Sequence, residues 1–156
     1  MAALALILIA ALIVGAGQFG LLAGSVPKHL GVENGRLQPP SSTPNSVSSQ
    51  ANLYPGHLQQ AYAAMPALQY RGDGEAAMQK LEAVLKQYPR TVIVTRRPDY
   101  IYAQCSTPLL KFTDDVEFWL DKDAHAIQFR SASRLGRKDL GTNRARMEAI
   151  RARFEG

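Results

Sequence analysis

Cysteine is almost absent from this chain: Cys105 is the one thiol among 156 residues. A single cysteine excludes an internal disulfide and a thiolate metal site. It sits in an apolar-alternating run and reads as a small buried hydrophobe. Histidine is scarce as well. His29, His57 and His125 fall in turn-like or irregular sequence, which leaves Cys105 without a base to make it a nucleophile. No metal site and no cofactor is expected. The chain has no G-x-S-x-G elbow, no H-E-x-x-H helix and no phosphate loop. It also lacks zinc-finger spacing, an aromatic-rich RNA motif and any internal repeat.

Charge is missing from the start: every Lys, Arg, Asp and Glu lies from Lys28 onward. Residues Ala2 to Ala23 are apolar, and Gln18 is the only strongly polar side chain among them. A bilayer core of roughly 30 Å needs about 20 such residues in helix. Residues 1–25 are therefore expected to be a transmembrane anchor or a signal peptide, with Ala23-Gly24-Ser25 as a small-residue cleavage site. Lys28 and Arg36 follow the segment, which by the positive-inside rule alone favours a cytoplasmic domain.

Residues 26–156 suit a single α+β domain. The formal net charge of +5 falls entirely on them. Basic and acidic residues alternate until the C-terminus, which argues against nucleic acid as a partner. Attraction to anionic lipid headgroups is the expected use of the charge.

The domain opens on an extended segment, Val26 to Ser49, rich in Pro, Ser, Gly and Asn. Leu30, Val32, Leu37 and Val47 punctuate it, so it can lie against the domain. A helix is expected from about Asp73, its N-cap, to Tyr88. Ala77, Met78, Leu81, Val84, Leu85 and Tyr88 form its apolar stripe. Strand patterns follow over Thr91–Thr95, Tyr100–Thr107, Phe112–Asp121 and Ala126–Arg134. A last helix runs from about Thr142 to Phe154, with Arg144 and Glu148 spaced as a surface pair. The order predicts a small antiparallel sheet of about four strands with two main helices packed on one face.

Period-two geometry makes the last hairpin informative. Val116, Phe118 and Leu120 share one face, with Ile127 and Phe129; Asp115, Glu117 and Trp119 share the other, with Gln128, Arg130 and Arg134. Setting Asp121 opposite Ala126 pairs Phe118 with Phe129 and Glu117 with Arg130, and puts Asp115 opposite Ala132. The outward face is either a solvated salt-bridge ladder or an arginine-lined site, its carboxylates orienting guanidinium groups for an anion.

Several ordered motifs carry a resemblance. They are Pro27-Lys28-His29-Leu30-Gly31-Val32, Gly35-Arg36-Leu37, Thr43 through Gln50, Asp114 through Phe118, Arg130 through Gly136 and Asp139 through Arg146. The chain resembles the bacterial and plastid domain of unknown function 1499 family from Pro27 to about Arg151. The resemblance implies an envelope or membrane setting, and so the periplasmic side of an inner membrane. Many relatives look like lipoproteins, with a cysteine after Leu-Ala-Gly. Here Ser25 follows Leu22-Ala23-Gly24, so the apolar segment must itself anchor the chain or be removed.

Within these motifs Asn45 and Ser48 either cap a turn or close a pocket against Arg130 and Asp115. Gly141-Thr142-Asn143 should present free helix amides to an anion. Arg130, Arg134, Asn143 and Arg144 are thus the expected ligand contacts, with Asp115 and Glu117 orienting them. A binding or accessory domain for an anionic small molecule, a lipid headgroup or an envelope protein follows. The alternative is an envelope hydrolase using Asp115, Glu117 or a serine such as Ser48.

Overall fold

The computed structural model describes residues 1–156, apart from the side chain of Ala2. The elements run α1 (Ala2–Gln18), β1 (Ser46–Ser48), a 3-10 turn (Ala51–Leu53), α2 (Gln60–Ala63) and β2 (Leu68–Gln69). They continue through α3 (Gly74–Gln87), β3 (Thr91–Arg97), β4 (Tyr100–Ser106), β5 (Thr113–Asp121), β6 (Ala126–Ser133) and α4 (Thr142–Glu155).

The antiparallel sheet and its helices have the expected α+β character, but the sheet has six strands where about four were expected. Its order is β1-β6-β5-β4-β3, and β2 also pairs with β6. The extra strands lie end to end on the outer edge of β6. Ser46–Ser48 pair with Ala132–Arg130, and Leu68–Gln69 with Ile127–Ala126. At three and two residues they are too short to show alternation. They satisfy the edge that β6 would otherwise present to solvent.

The predicted hairpin register is the observed one: Phe118 faces Phe129, Glu117 faces Arg130, Asp115 faces Ala132 and Asp121 faces Ala126. One sheet face carries the main core. Ile101, Cys105, Val116, Phe118, Leu120, Ile127 and Phe129 pack against Met78, Leu81 and Leu85 of α3 and Met147, Ile150 and Phe154 of α4. Asp73 caps α3 as its position suggested, its carboxylate accepting from the Ala76 amide at 2.8 Å.

The opposite face is not left to solvent. Residues 29–41 cross it as a strap, and Leu30, Val32 and Leu37 pack on Tyr100, Tyr102 and Trp119. Side chains of the sheet and of the following turn tie the strap's backbone down. Gly31 N donates to Glu117 Oε1 at 2.6 Å, Leu37 N to Gln50 Oε1 at 2.8 Å, and Arg130 Nε to the Pro39 carbonyl at 3.1 Å.

The apolar N-terminus corrects another expectation. Helix α1 is 17 residues long, about 26 Å at 1.5 Å per residue. Among the described residues no helix is long and apolar enough to cross a membrane. The helix ends at Gln18 because the chain turns there. Gly20 takes a φ of 76°, and Gln18 Nε2 donates to the Leu109 carbonyl at 2.8 Å. A Cβ at Gly17 would lie 2.4 Å from the Leu110 carbonyl oxygen, so glycine permits the close approach of α1 to that loop.

Phe118 is fully buried at the centre of the main core, whereas Val92 on edge strand β3 is 63% exposed. Phe118→Ala is expected to lower stability by about 3–5 kcal/mol. Val92→Ala is expected to stay within about 0.5 kcal/mol of the parent. Urea denaturation followed by circular dichroism checks both.

Candidate functional site: an arginine-lined cleft beneath the strap

The alternation that sends Phe118 inward sends Asp115 and Glu117 to the strap side, where both are 1% exposed. They are not a solvated ladder, because the strap and two tyrosines enclose them. Asp115 holds Arg134 in a two-point contact: Nε to Oδ2 at 2.9 Å and Nη2 to Oδ1 at 2.7 Å. The Tyr102 hydroxyl donates to the same Oδ1 at 2.6 Å, and Gln104 Nε2 donates to that hydroxyl at 2.8 Å. The Asp115 contact raises the Arg134 pKa, so Arg134 stays fully cationic.

Glu117 is less completely served. Its Oε1 accepts from Gly31 N and, at 2.7 Å, from the Tyr100 hydroxyl. Its Oε2 is buried without a hydrogen-bond partner. Burial pushes the carboxyl above its ordinary range, against the opposing pull of the Gly31 amide, the Tyr100 hydroxyl and Arg130.

Across the ladder, Arg130 is the guanidinium with capacity to spare. Nε is bound to Pro39, and among the described residues neither terminal nitrogen has a hydrogen-bond partner within the chain. The residue is half-buried; burial lowers its pKa, against the opposing pull of Glu117 and Asp115. A cleft of about 480 Å³ opens beside it, lined also by Lys28, His29, Ser41, Asp115 and Arg134. The sequence reading missed Lys28 and His29 as lining residues. Their only signal was their place in the Pro27–Val32 motif, since nothing local shows that the strap folds back over β6.

The structure divides the expected site. Arg130, Arg134 and Asp115 line the cleft, with Glu117 buried under the strap. Ser48 lies opposite Arg130 on the same face, but it is fully buried, accepts from the Gln50 amide at 3.1 Å and does not line the cleft. Asn45, Asn143 and Arg144 belong to the helix side of the sheet. Asn45 Nδ2 donates to the Gly136 carbonyl at 2.8 Å. Asn143 is fully buried, donating through Nδ2 to Asn45 O at 3.1 Å and accepting at Oδ1 from Ser131 Oγ and Arg146 Nη1. Arg144 ties α4 to the carbonyls of Tyr62 and Ala64 at 2.5 and 3.2 Å. Its expected partner Glu148 instead faces Arg151 at 3.6 Å.

The amides at the start of α4 meet an anion from their own chain. Asp139 accepts from Gly141 N at 3.1 Å, Asn143 N at 3.0 Å and the Tyr62 hydroxyl at 2.6 Å. Burial alone would raise its pKa; the hydrogen bonds from Tyr62, Asn143 and Gly141 outweigh it and hold the carboxyl below the usual range. Close by, Asp114 forms a buried ion pair with Arg146. The sequence reading passed over that pair, although parity puts Asp114 on the Val116 and Phe118 side. Burial raises the Cys105 thiol, which sits 3.3 Å from Thr91 Oγ1. Among the described residues no group of three or more His, Cys, Asp or Glu side chains could hold a metal ion.

An antiparallel sheet with two helices on one face and a strapped, arginine-bearing cleft on the other defines this class of small α+β domain. Residues 36–154 match the family described as "Protein of unknown function (DUF1499)", and the chain belongs to that family. The match begins at Arg36, so Pro27–Val32 lies outside it. Comparison with curated proteins and with solved structures finds no match.

The two perturbed acids give opposite pH signatures. Glu117, raised when folded, contributes its stability below the ordinary value of 4.5 and loses it as pH rises through the raised value. Glu117→Gln keeps an acceptor for Gly31 and Tyr100 without the charge. Its stability relative to the parent should therefore climb as pH rises through that window, and urea melts showing a flat difference would refute the assignment. Asp139, lowered when folded, contributes above 3.8 and loses that contribution as pH falls through its depressed value. Asp139→Ala is expected to cost about 1–2 kcal/mol at neutral pH, the gap narrowing in acid in the same melts.

Proposed function

We propose that this chain is a membrane-held binding or accessory domain of the cell envelope whose Arg130 cleft takes an anionic group. The observation that carries this reading is the Arg130 guanidinium: half-buried, tied only through Nε, and bordering a cleft with Arg134 and Lys28. A carboxylate or phosphate oxygen could accept from its free nitrogens in a charge-assisted, two-point contact. Arg134 is already oriented by Asp115, so little side-chain entropy would be lost on binding. An anionic small molecule, a lipid headgroup or an acidic side chain of an envelope protein each offers that group.

The membrane part rests on α1. Leu4, Leu6, Ile7, Leu8, Ile9, Leu12 and Ile13 are all exposed, and no charge relieves them. Water is a poor solvent for a helix apolar on every side. With the family resemblance, this favours an inner-membrane location with the domain on the periplasmic side. Protease treatment of intact spheroplasts checks it: digestion of the domain supports that side, and protection places it in the cytoplasm.

Binding is favoured over hydrolysis by the placement of the reactive groups. Asp115 is engaged by Arg134 and Tyr102, Glu117 lies beneath Gly31, and Ser48 is outside the cleft. Acid, base and nucleophile do not converge.

Inorganic phosphate is the simplest probe. At about ten times its Kd it should raise the parent's Tm by roughly 3–4 °C. In Arg130→Gln the shift should vanish, and in Lys28→Gln it should shrink. An unchanged phosphate response in Arg130→Gln sinks the assignment.

A further inference from the structure

We infer that the end of the domain beside α1 is a lipid-docking face that settles onto the anionic surface of a bilayer, resting on the membrane part of the function proposed above. Three loops meet there. The segment after α1 exposes Phe19 and Leu21, the β4–β5 loop exposes Leu109, and the β6–α4 loop exposes Leu135 and Leu140, the last 93% accessible. They adjoin one another. Gln18 reaches the Leu109 carbonyl, a Cβ on Gly24 would meet Leu135, and the β4–β5 and β6–α4 loops line one cavity of about 390 Å³.

Two backbone observations mark these loops. Leu140 and Lys111 hold φ of 52° and 55°, a left-handed conformation that bulky side chains seldom adopt. At Leu140 the strained residue is also the most exposed large apolar one after Met1. The turn that lets Asp139 cap α4 runs through Leu140 and holds its side chain out into solvent.

Charge selects the occupant. The exposed ionic side chains of the β6–α4 loop are Arg137 and Lys138, and the β4–β5 loop adds the half-buried Lys111. The one acid in these loops, Asp139, is buried and occupied by Tyr62 and the α4 amides. Apolar tips ringed by cations suit acyl chains beneath anionic headgroups. The face is also continuous with α1, whose length of about 26 Å falls short of a hydrocarbon core of roughly 30 Å. A short apolar segment draws its flanking groups into the interface.

The test uses the full chain in phosphatidylcholine vesicles with and without phosphatidylserine. An environment-sensitive fluorophore is placed on Leu109→Cys, Leu140→Cys and Asp123→Cys, with the parent as control for the buried Cys105. Asp123 lies in the turn at the far end of the β5–β6 hairpin. The tip probes are expected to shift to the blue and to be quenched by lipids carrying a nitroxide near the headgroup, while the Asp123 probe reports water. Changing Lys111, Arg137 and Lys138 to Gln should weaken tip insertion on phosphatidylserine vesicles by roughly fivefold per residue. Tip probes that report water while the chain floats with the vesicles overturn the docking face and leave the membrane reading standing. A chain that fails to float overturns both.

Discussion

Asp114 and Asp115 are neighbours on β5 and point to opposite faces of the sheet, and the structure depends on each meeting an arginine on its own side. Asp114 pairs with Arg146 of α4, and Asp115 with Arg134 just beyond β6. All four side chains are nearly excluded from water. Two buried ion pairs are a poor source of net stability, because desolvation offsets the attraction. They add to specificity together with their neighbours, because a slip of one residue in β5 would carry one acid away from its arginine and turn Glu117 into the core and Phe118 out of it. The same register puts Phe118 on Phe129, so packing and charge enforce one alignment.

That redundancy explains what was legible in the sequence. The hairpin register could be written down because apolar and ionic alternation agreed over some ten residues, and α3 because Asp73, its stripe and Pro89 agreed. The strap was legible only in part: Leu30, Val32 and Leu37 marked a segment able to lie against the domain, but not the face it covers. Polar alternation on one strand face ordinarily means water beyond it, and only tertiary structure shows Leu30, Val32 and Leu37 covering Tyr100 and Tyr102. Strands β1 and β2 were hidden for a related reason: segments of three and two residues carry no period and exist because β6 offers an edge. Asn143 and Arg144 were assigned to a ligand because a helix start with free amides looks like an anion site. The chain supplies its own anion in Asp139, four residues earlier than Asn143, and a side-chain cap at that distance is set by loop geometry and not by helical spacing.

The strap and the cleft are one mechanical unit. Its backbone is pinned at Gly31 by Glu117 and at Pro39 by Arg130, and these two side chains face each other across β5 and β6. An anion received by Arg130 would therefore lie beside the strap's own anchor. The unpartnered Oε2 of Glu117 sharpens the point: both oxygens of Asp115 have donors, whereas this one has none.

Polarity is thus sorted along the molecule as well as across the sheet. The buried Asp114, Asp115, Asp139 and Arg146 are all matched, Glu117 keeps one oxygen without a donor, and many of the exposed large apolar side chains lie on α1 and the loops around its end. Arg130 keeps two nitrogens without a partner in the chain, and the turn that caps α4 leaves Leu140 in solvent. In the proposed setting, anionic oxygens would meet the first and acyl chains the second. Neither would require the core to rearrange, because the two ion pairs tie β5 to Arg134 and to α4 while Glu117 and Arg130 pin the strap.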